Sequence, residues 1–256
     1  MSQELLVEQV GRVRVLTLNR PESLNALSMS LQSSLVEALL DAGSDDDVSV
    51  IVLTAVGDRT FCPGVDLKEI RSLPGQWRGP YAGAERSVWD VLSTTYKPTI
   101  AALNGAAVGG GFELALACDV VFAVGGSQVG MPEAKVGMAG SFGTTALSRR
   151  VPRGVASDLL FTGRLVPVEE LQPWGLVQRI VAPGEVREAA IQYAEAIARN
   201  APLSLRRMKE LMVKGQALPL MAAVTLDVGP NPYLSEDRQE GIAAFLEKRE
   251  PHWQGR

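Results

Sequence analysis

Residues 105–119 read Gly105-Ala106-Ala107-Val108-Gly109-Gly110-Gly111-Phe112-Glu113-Leu114-Ala115-Leu116-Ala117-Cys118-Asp119. A strand-like run at 99–103 precedes them and another at 119–124 follows. The segment therefore predicts strand, glycine turn, a helix around 110–117, and strand. Three consecutive glycines let helix-start N–H groups approach a ligand closely and favour developing negative charge there. The spacing is not the G-x-G-x-x-G of a dinucleotide fold, nor does it end in the Lys-Ser/Thr of a P-loop. Glu113 stands out. Its helical neighbours three and four positions away are Gly109, Gly110, Leu116 and Ala117, none of them polar. A carboxylate with no solvated face is costly to ionise, so its pKa rises. Two readings fit: a buried Glu satisfied by a helix N-terminus, or a general acid or base tuned toward neutrality.

The chain has 25 glycines in 256 residues, and ten of them fall between Gly105 and Gly143. A usual frequency of about 7% would place about three there. A second carboxylate, Glu133 in Met131-Pro132-Glu133-Ala134-Lys135, follows Glu113 by a strand and the Gly125-Gly126 turn. That is enough chain to double back and face Glu113; a surface residue paired with a lysine is the alternative. Another glycine turn, Phe61-Cys62-Pro63-Gly64-Val65-Asp66-Leu67, follows the apolar run 48–56. Two such turns after parallel strands could each aim one N–H at a single oxygen, making an oxyanion hole. Ordinary turn chemistry is the other reading.

Outward from this centre, 5–10 and 13–18 flank Gly11 and predict an opening hairpin. Residues 19–27 read as a loop, and Ser28 as the cap of a helix with Leu31, Leu35 and Leu39 on one face. Run 48–56 reads as a strand covered on both faces, 57–65 as a loop, and 66–73 as a helix start. Residues 74–84 are the least regular, and a helix near 85–95 precedes strand 99–103. A strand, a glycine turn and a helix start thus occur at both 48–67 and 99–114. After Gly143 the pattern is mainly helical, with a strand at 176–181 and helices at 184–198, 203–213, 217–226 and 235–248. Strand–helix alternation followed by a helical tail predicts an α/β core with a helical appendage.

Composition narrows the chemistry. The balance of 25 basic and 29 acidic residues gives a net charge of −4, which argues against nucleic acid or anionic membrane as partner. The two cysteines, Cys62 and Cys118, cannot build a disulfide framework or a four-ligand metal site, and they suit a reducing compartment. The single histidine, His252, lies in the tail, so acid–base chemistry rests on carboxylates, Lys, Tyr or thiols. The first ten residues lack a basic and an apolar region, and no apolar run approaches the length of a membrane span. A cytoplasmic protein without a metal is the expectation.

Seven segments together resemble the crotonase superfamily, the enoyl-CoA hydratase/isomerase family. They are Asn19-Arg20-Pro21 with Leu24-Asn25-Ala26-Leu27, the 61–67 turn, Lys97-Pro98-Thr99-Ile100-Ala101-Ala102-Leu103-Asn104-Gly105, and Gly109–Leu114 with Cys118-Asp119. Pro132-Glu133, Phe161-Thr162-Gly163-Arg164, and Glu240-Gly241 with Ala244-Phe245-Leu246-Glu247-Lys248-Arg249 complete the set. The resemblance runs nearly end to end. It implies a spiral of ββα units over 1–196 and a helical trimerisation region over 197–256, in a homotrimer or a hexamer of paired trimers. It implies an acyl-CoA thioester as substrate, with no separate cofactor because coenzyme A is part of that substrate. The thioester oxygen would sit between the N–H groups of Val65 and Gly110. CoA would run along Leu24, Ala26, Val65, Asp66 and Leu67, with Phe245 and Lys248 of a neighbouring subunit meeting its nucleotide end.

Glu113 and Glu133 match both glutamates that hold water in the family's hydratases, which implies reversible hydration of a trans-2-enoyl-CoA. A Δ3,Δ2-enoyl-CoA isomerase, a carnitinyl-CoA dehydratase-like enzyme, and a non-catalytic acyl-CoA- or RNA-binding relative are the alternatives. Two departures stand out. Typical hydratases follow the second Glu with a Pro-Gly-x-Gly-Gly-Thr-Gln-like run, where this chain has Gly137-Met138-Ala139-Gly140-Ser141-Phe142-Gly143-Thr144-Thr145. Glu22 stands where better known hydratases often place a CoA-contacting Lys. Trp77, Tyr81 and Trp89 are candidates for an acyl-pocket wall, with ordinary core packing as the alternative.

Overall fold

The computed structural model describes residues 3–72 and 86–256. It opens on the antiparallel hairpin of β1 (Leu5–Val10) and β2 (Val13–Leu18). Ser28 then caps α1 (Met29–Ser44), accepting the Leu31 N–H at 3.0 Å, and Leu31, Leu35 and Leu39 are buried as their spacing requires. Next come β3 (Val50–Ala55), β4 (Thr60–Cys62) and α2 (Leu67–Arg71), then α3 (Val88–Thr94). They are followed by β5 (Thr99–Leu103), β6 (Ala106–Val108) and α4 (Gly110–Ala117). After β7 (Val120–Val124) and β8 (Gln128–Gly130), a 3-10 turn, Glu133–Val136, leads to α5 (Ser141–Arg150) and α6 (Arg153–Thr162). The chain ends with β9 (Val166–Pro167), α7 (Val168–Leu171), β10 (Arg179–Val181), α8 (Val186–Ala198), α9 (Pro202–Gly215), α10 (Leu220–Val224) and α11 (Glu236–Glu247).

The strands form two sheets. One has the order β1-β2-β3-β5-β7-β10, parallel except at β1, and the other is β4-β6-β8-β9, parallel except at β9. Each pass lays one strand in the large sheet and a short one in the small sheet before turning. The units β3-β4-α2 and β5-β6-α4 make the similarity between 48–67 and 99–114 a structural repeat, the ββα spiral. Three differences from the sequence reading concern short elements. Residues 57–65 contain β4, the glycine turn contains β6, and β8 and β9 appear where no strand is expected. With two or three residues each, they carry too little periodicity to register. The expected strand 176–181 shortens to β10, and the expected helix 217–226 to α10.

Period-2 alternation explains the layers. Val13, Val15, Val50, Val52 and Ile100 face α8, meeting Val186, Ala190, Ile191 and Ala194. Leu16, Leu18, Ile51, Leu53 and Leu103 face the other way, toward the buried sides of α1, α3 and α4. Both faces are covered, which is why β3 reads as one apolar run. The helical tail is pinned to this core. The buried Lys209 of α9 donates to Asp119 Oδ2 at 2.6 Å, Thr99 Oγ1 at 3.2 Å and the Lys97 carbonyl at 3.1 Å. Among the described residues no helix is long and apolar enough to cross a membrane.

Candidate active site

Parallel pairing of β4 with β6 sets the two glycine turns side by side, since each turn leaves its sheet next to the other. The approach is close. A Cβ on Gly111 would lie 2.1 Å from the Cys62 carbonyl oxygen, so that position accepts hydrogen only. A Cβ on Gly64 would lie 3.2 Å from the Gly110 nitrogen. Residues on both sides of Val65 are clamped to the loop before α1. The Leu27 N–H donates to the Gly64 carbonyl at 2.8 Å, and the Asp66 N–H to the Leu27 carbonyl at 3.0 Å. Among the described residues, neither the Val65 nor the Gly110 N–H donates to a protein acceptor. Gly110 is further held by the buried Trp89, whose Nε1–H donates to its carbonyl at 3.1 Å.

The wall formed by 20–27 is held in a strained shape. Leu24 and Asn25 both lie in the left-handed region, with φ of 54° and 64°. The Asn25 side chain stabilises this, accepting the Arg20 N–H at 3.0 Å and donating to the Thr60 carbonyl at 3.0 Å. The Arg20 guanidinium reaches the Ala26 carbonyl at 2.6 Å and Asp66 Oδ2 at 3.2 Å, and the Asp66 carboxylate also caps α2 through the Lys68 N–H.

Glu113 sits one turn into α4 with only 3% of its surface exposed. It reaches across to the start of α5. There Gly140, the capping position, has no side chain to offer, and Glu113 Oε1 accepts the Gly143 N–H at 2.7 Å. The helix N-terminus of the first sequence reading is there, satisfying one oxygen, and the side chain also lines a cavity. Burial pushes its pKa from the ordinary 4.5 up to about 7. The Gly143 N–H opposes that rise and the Glu133 charge adds to it. Glu133, on its 3-10 turn, is half-buried, and burial raises its pKa as well. Among the described residues Glu133 Oε2 is a buried oxygen with no hydrogen-bond partner. The two carboxylates converge. A Cβ placed on Gly140 would lie 2.9 Å from Glu113 Oε1 and 3.2 Å from Glu133 Oε1.

A cavity of about 620 Å³ joins these parts. It is lined by the expected Leu24, Ala26, Val65, Asp66 and Leu67, and by Gly110, Glu113 and Glu133. Trp89 lines it too, while Trp77 and Tyr81 lie outside the described residues. Phe245 and Lys248 are not brought to this cavity by their own chain. Phe245 is 83% exposed on α11, and Lys248 ends that helix with a φ of 56°. Sequence reasoning did not single out Lys68 or Met138 as lining residues. Lys68 had a signal, since it directly follows the lining run 65–67. Gly143 as the partner of Glu113 had none, because thirty residues separate them.

A ββα spiral that brings two glycine turns and two carboxylates to one cavity is the architecture of the crotonase superfamily. The chain belongs to the enoyl-CoA hydratase/isomerase family, whose model matches residues 8–256. It is 38% identical over 252 residues to the (E)-benzylidenesuccinyl-CoA hydratase of Thauera aromatica, covering 97% of this chain and 98% of that one. It is also 38% identical over 256 residues to the 2,3-dehydroadipyl-CoA hydratase of Escherichia coli K12, with 99% of each chain covered. Among solved structures, an enoyl-CoA hydratase from Bacillus anthracis superposes with a TM-score of 0.89 at 32% identity, covering 99% of this chain and 100% of that one.

Proposed function

We propose that the chain is an enoyl-CoA hydratase that reversibly adds water across the 2,3 double bond of a trans-2-enoyl-CoA. The observation that carries this reading is the facing of Glu113 and Glu133 beside the Val65 and Gly110 N–H groups. The thioester oxygen accepts from both N–H groups, which stabilise the negative charge that develops there. Glu113, as carboxylate, takes a proton from water as the oxygen bonds to Cβ. The π electrons move toward the thioester as an enolate, and protonated Glu133 delivers a proton to Cα. One proton gained and one given leave the roles exchanged, as the reverse dehydration requires. No cofactor takes part, since CoA arrives with the substrate along Leu24, Ala26 and 65–67. The two unbridged, buried thiols suit the reducing cytoplasm.

The test is loss of enoyl-thioester absorbance across a panel of trans-2-enoyl-CoAs. The panel includes straight-chain acyl groups and the carboxylate-bearing ones suggested by the names of the two curated relatives. Turnover of at least one member is expected; binding of all without turnover would reduce the chain to an acyl-CoA binder.

We further propose that 197–256 mediates assembly into a trimer or a pair of trimers, with the spiral 1–196 carrying the site. The support is the large apolar side chains exposed in this region, with Met212, Leu220, Tyr233, Phe245 and Leu246 each at least 68% exposed. Leu246→Glu is expected to yield a smaller species by size exclusion with light scattering. KM for acyl-CoA should rise with it, because Phe245 and Lys248 would no longer reach a neighbour's CoA. An unchanged mass would refute the assigned face.

A further inference from the structure

The loop that departs from typical hydratases passes both carboxylates at Gly140. Gly140 has φ −72° and ψ 96°, a conformation open to any L residue, so its backbone does not require glycine. Its surroundings do. A Cβ there would meet Met131 Cε at 2.5 Å, Glu113 Oε1 at 2.9 Å and Glu133 Oε1 at 3.2 Å. Gly143, one turn further along, lies against the same two side chains. A Cβ there would lie 2.3 Å from Met131 Cε and 3.1 Å from Glu113 Cγ. The start of α5 thus presents bare backbone to both carboxylates, with the Met131 thioether wedged beneath. Glu113 is tied to this surface by the Gly143 N–H, whereas Glu133 Oε2 has no partner among the described residues. A methyl group at 140 would press on both, more closely on Glu113 Oε1 than on Glu133 Oε1.

We infer that Gly140 is a positioning residue for the hydration step: its missing side chain lets Glu133 close on Glu113 to within reach of one shared water. This rests on the proposed hydratase reading and adds a determinant to it. A Cβ at 140 crowds both carboxylates, moving Glu133 by a few tenths of an ångström, and so spoils their shared geometry while the N–H pair and the CoA wall stay in place. Binding should survive and chemistry should not.

The experiment compares wild type, Gly140→Ala, Met131→Ala and the Gly140→Ala/Met131→Ala double variant on an enoyl-CoA that wild type hydrates. Gly140→Ala is expected to lower kcat about 10-fold, short of the ~100-fold of a 1 Å misplacement because the carboxylates shift by less, with KM unchanged. The double variant removes the tightest contact, the thioether, and so separates crowding against Met131 from crowding against the carboxylates. Its kcat should stay low relative to Met131→Ala, because the contact with the carboxylates remains. Recovery to the Met131→Ala rate would show that Gly140 serves packing alone and would overturn the inference. Undiminished hydration by Gly140→Ala would overturn it too, while leaving the hydratase reading intact. Absence of hydration by wild type on every enoyl-CoA would overturn both.

Discussion

Glu113→Gln is expected to lower kcat for hydration about 1,000-fold, within the range contributed by a positioned general base. The amide keeps the shape and still accepts the Gly143 N–H through its oxygen, so α5 retains its cap and KM should change little. What disappears is the ability to take a proton from water. The pH dependence follows from the same group. As base, Glu113 must be ionised, so wild-type kcat/KM should rise with pH through about 7, and the residual activity of Glu113→Gln should lack that limb. Stability should move the opposite way. The pKa of Glu113 is raised in the folded chain, so its contribution to stability is complete below 4.5 and lost as pH rises through about 7. The variant carries no such charge, so its melting temperature relative to wild type should climb across that window. A variant that is inactive yet more stable at neutral pH would separate lost chemistry from lost fold.

Glu133→Gln is expected to cost about 100-fold in kcat, toward the lower end of the range for acid–base catalysis. In the proposed hydration it delivers a proton to Cα after the C–O bond has formed, and its buried Oε2 has no other partner among the described residues. As proton donor it must be protonated in the form that turns over, so wild-type kcat/KM should fall again as pH rises through the Glu133 pKa, which burial raises. The residual activity of Glu133→Gln should lack that descending limb. Steady-state rates over a pH series check both effects together. A descending limb that survives in Glu133→Gln would assign it to another group, and wild-type rates in both variants would rule out the two-carboxylate mechanism.

Much of the large sheet could be read from the chain because its strands stand out as apolar or β-branched runs, as in 13–18 and, where both faces are covered, 48–56. Ser28 and the Leu31, Leu35, Leu39 stripe placed α1 for equally local reasons. Glu113 was conspicuous because every helical neighbour on its face is apolar or glycine. The convergence of the site was another matter. It depends on pairings such as Cys62 with Ala107, made by strands of three residues, and on a Gly143 N–H thirty residues from its acceptor. No local pattern encodes such contacts. The buried Lys209 shows the same limit, since a helix lysine reads as solvated until Asp119 and Thr99 are folded against it.

The most direct measurement is turnover of a trans-2-enoyl-CoA in oxygen-labelled water, followed by mass spectrometry of the product. Hydration with Glu113 as base predicts one labelled hydroxyl oxygen at Cβ, and its loss in Glu113→Gln. A product with the double bond moved and no label incorporated would contradict hydration and point to isomerisation by proton transfer alone.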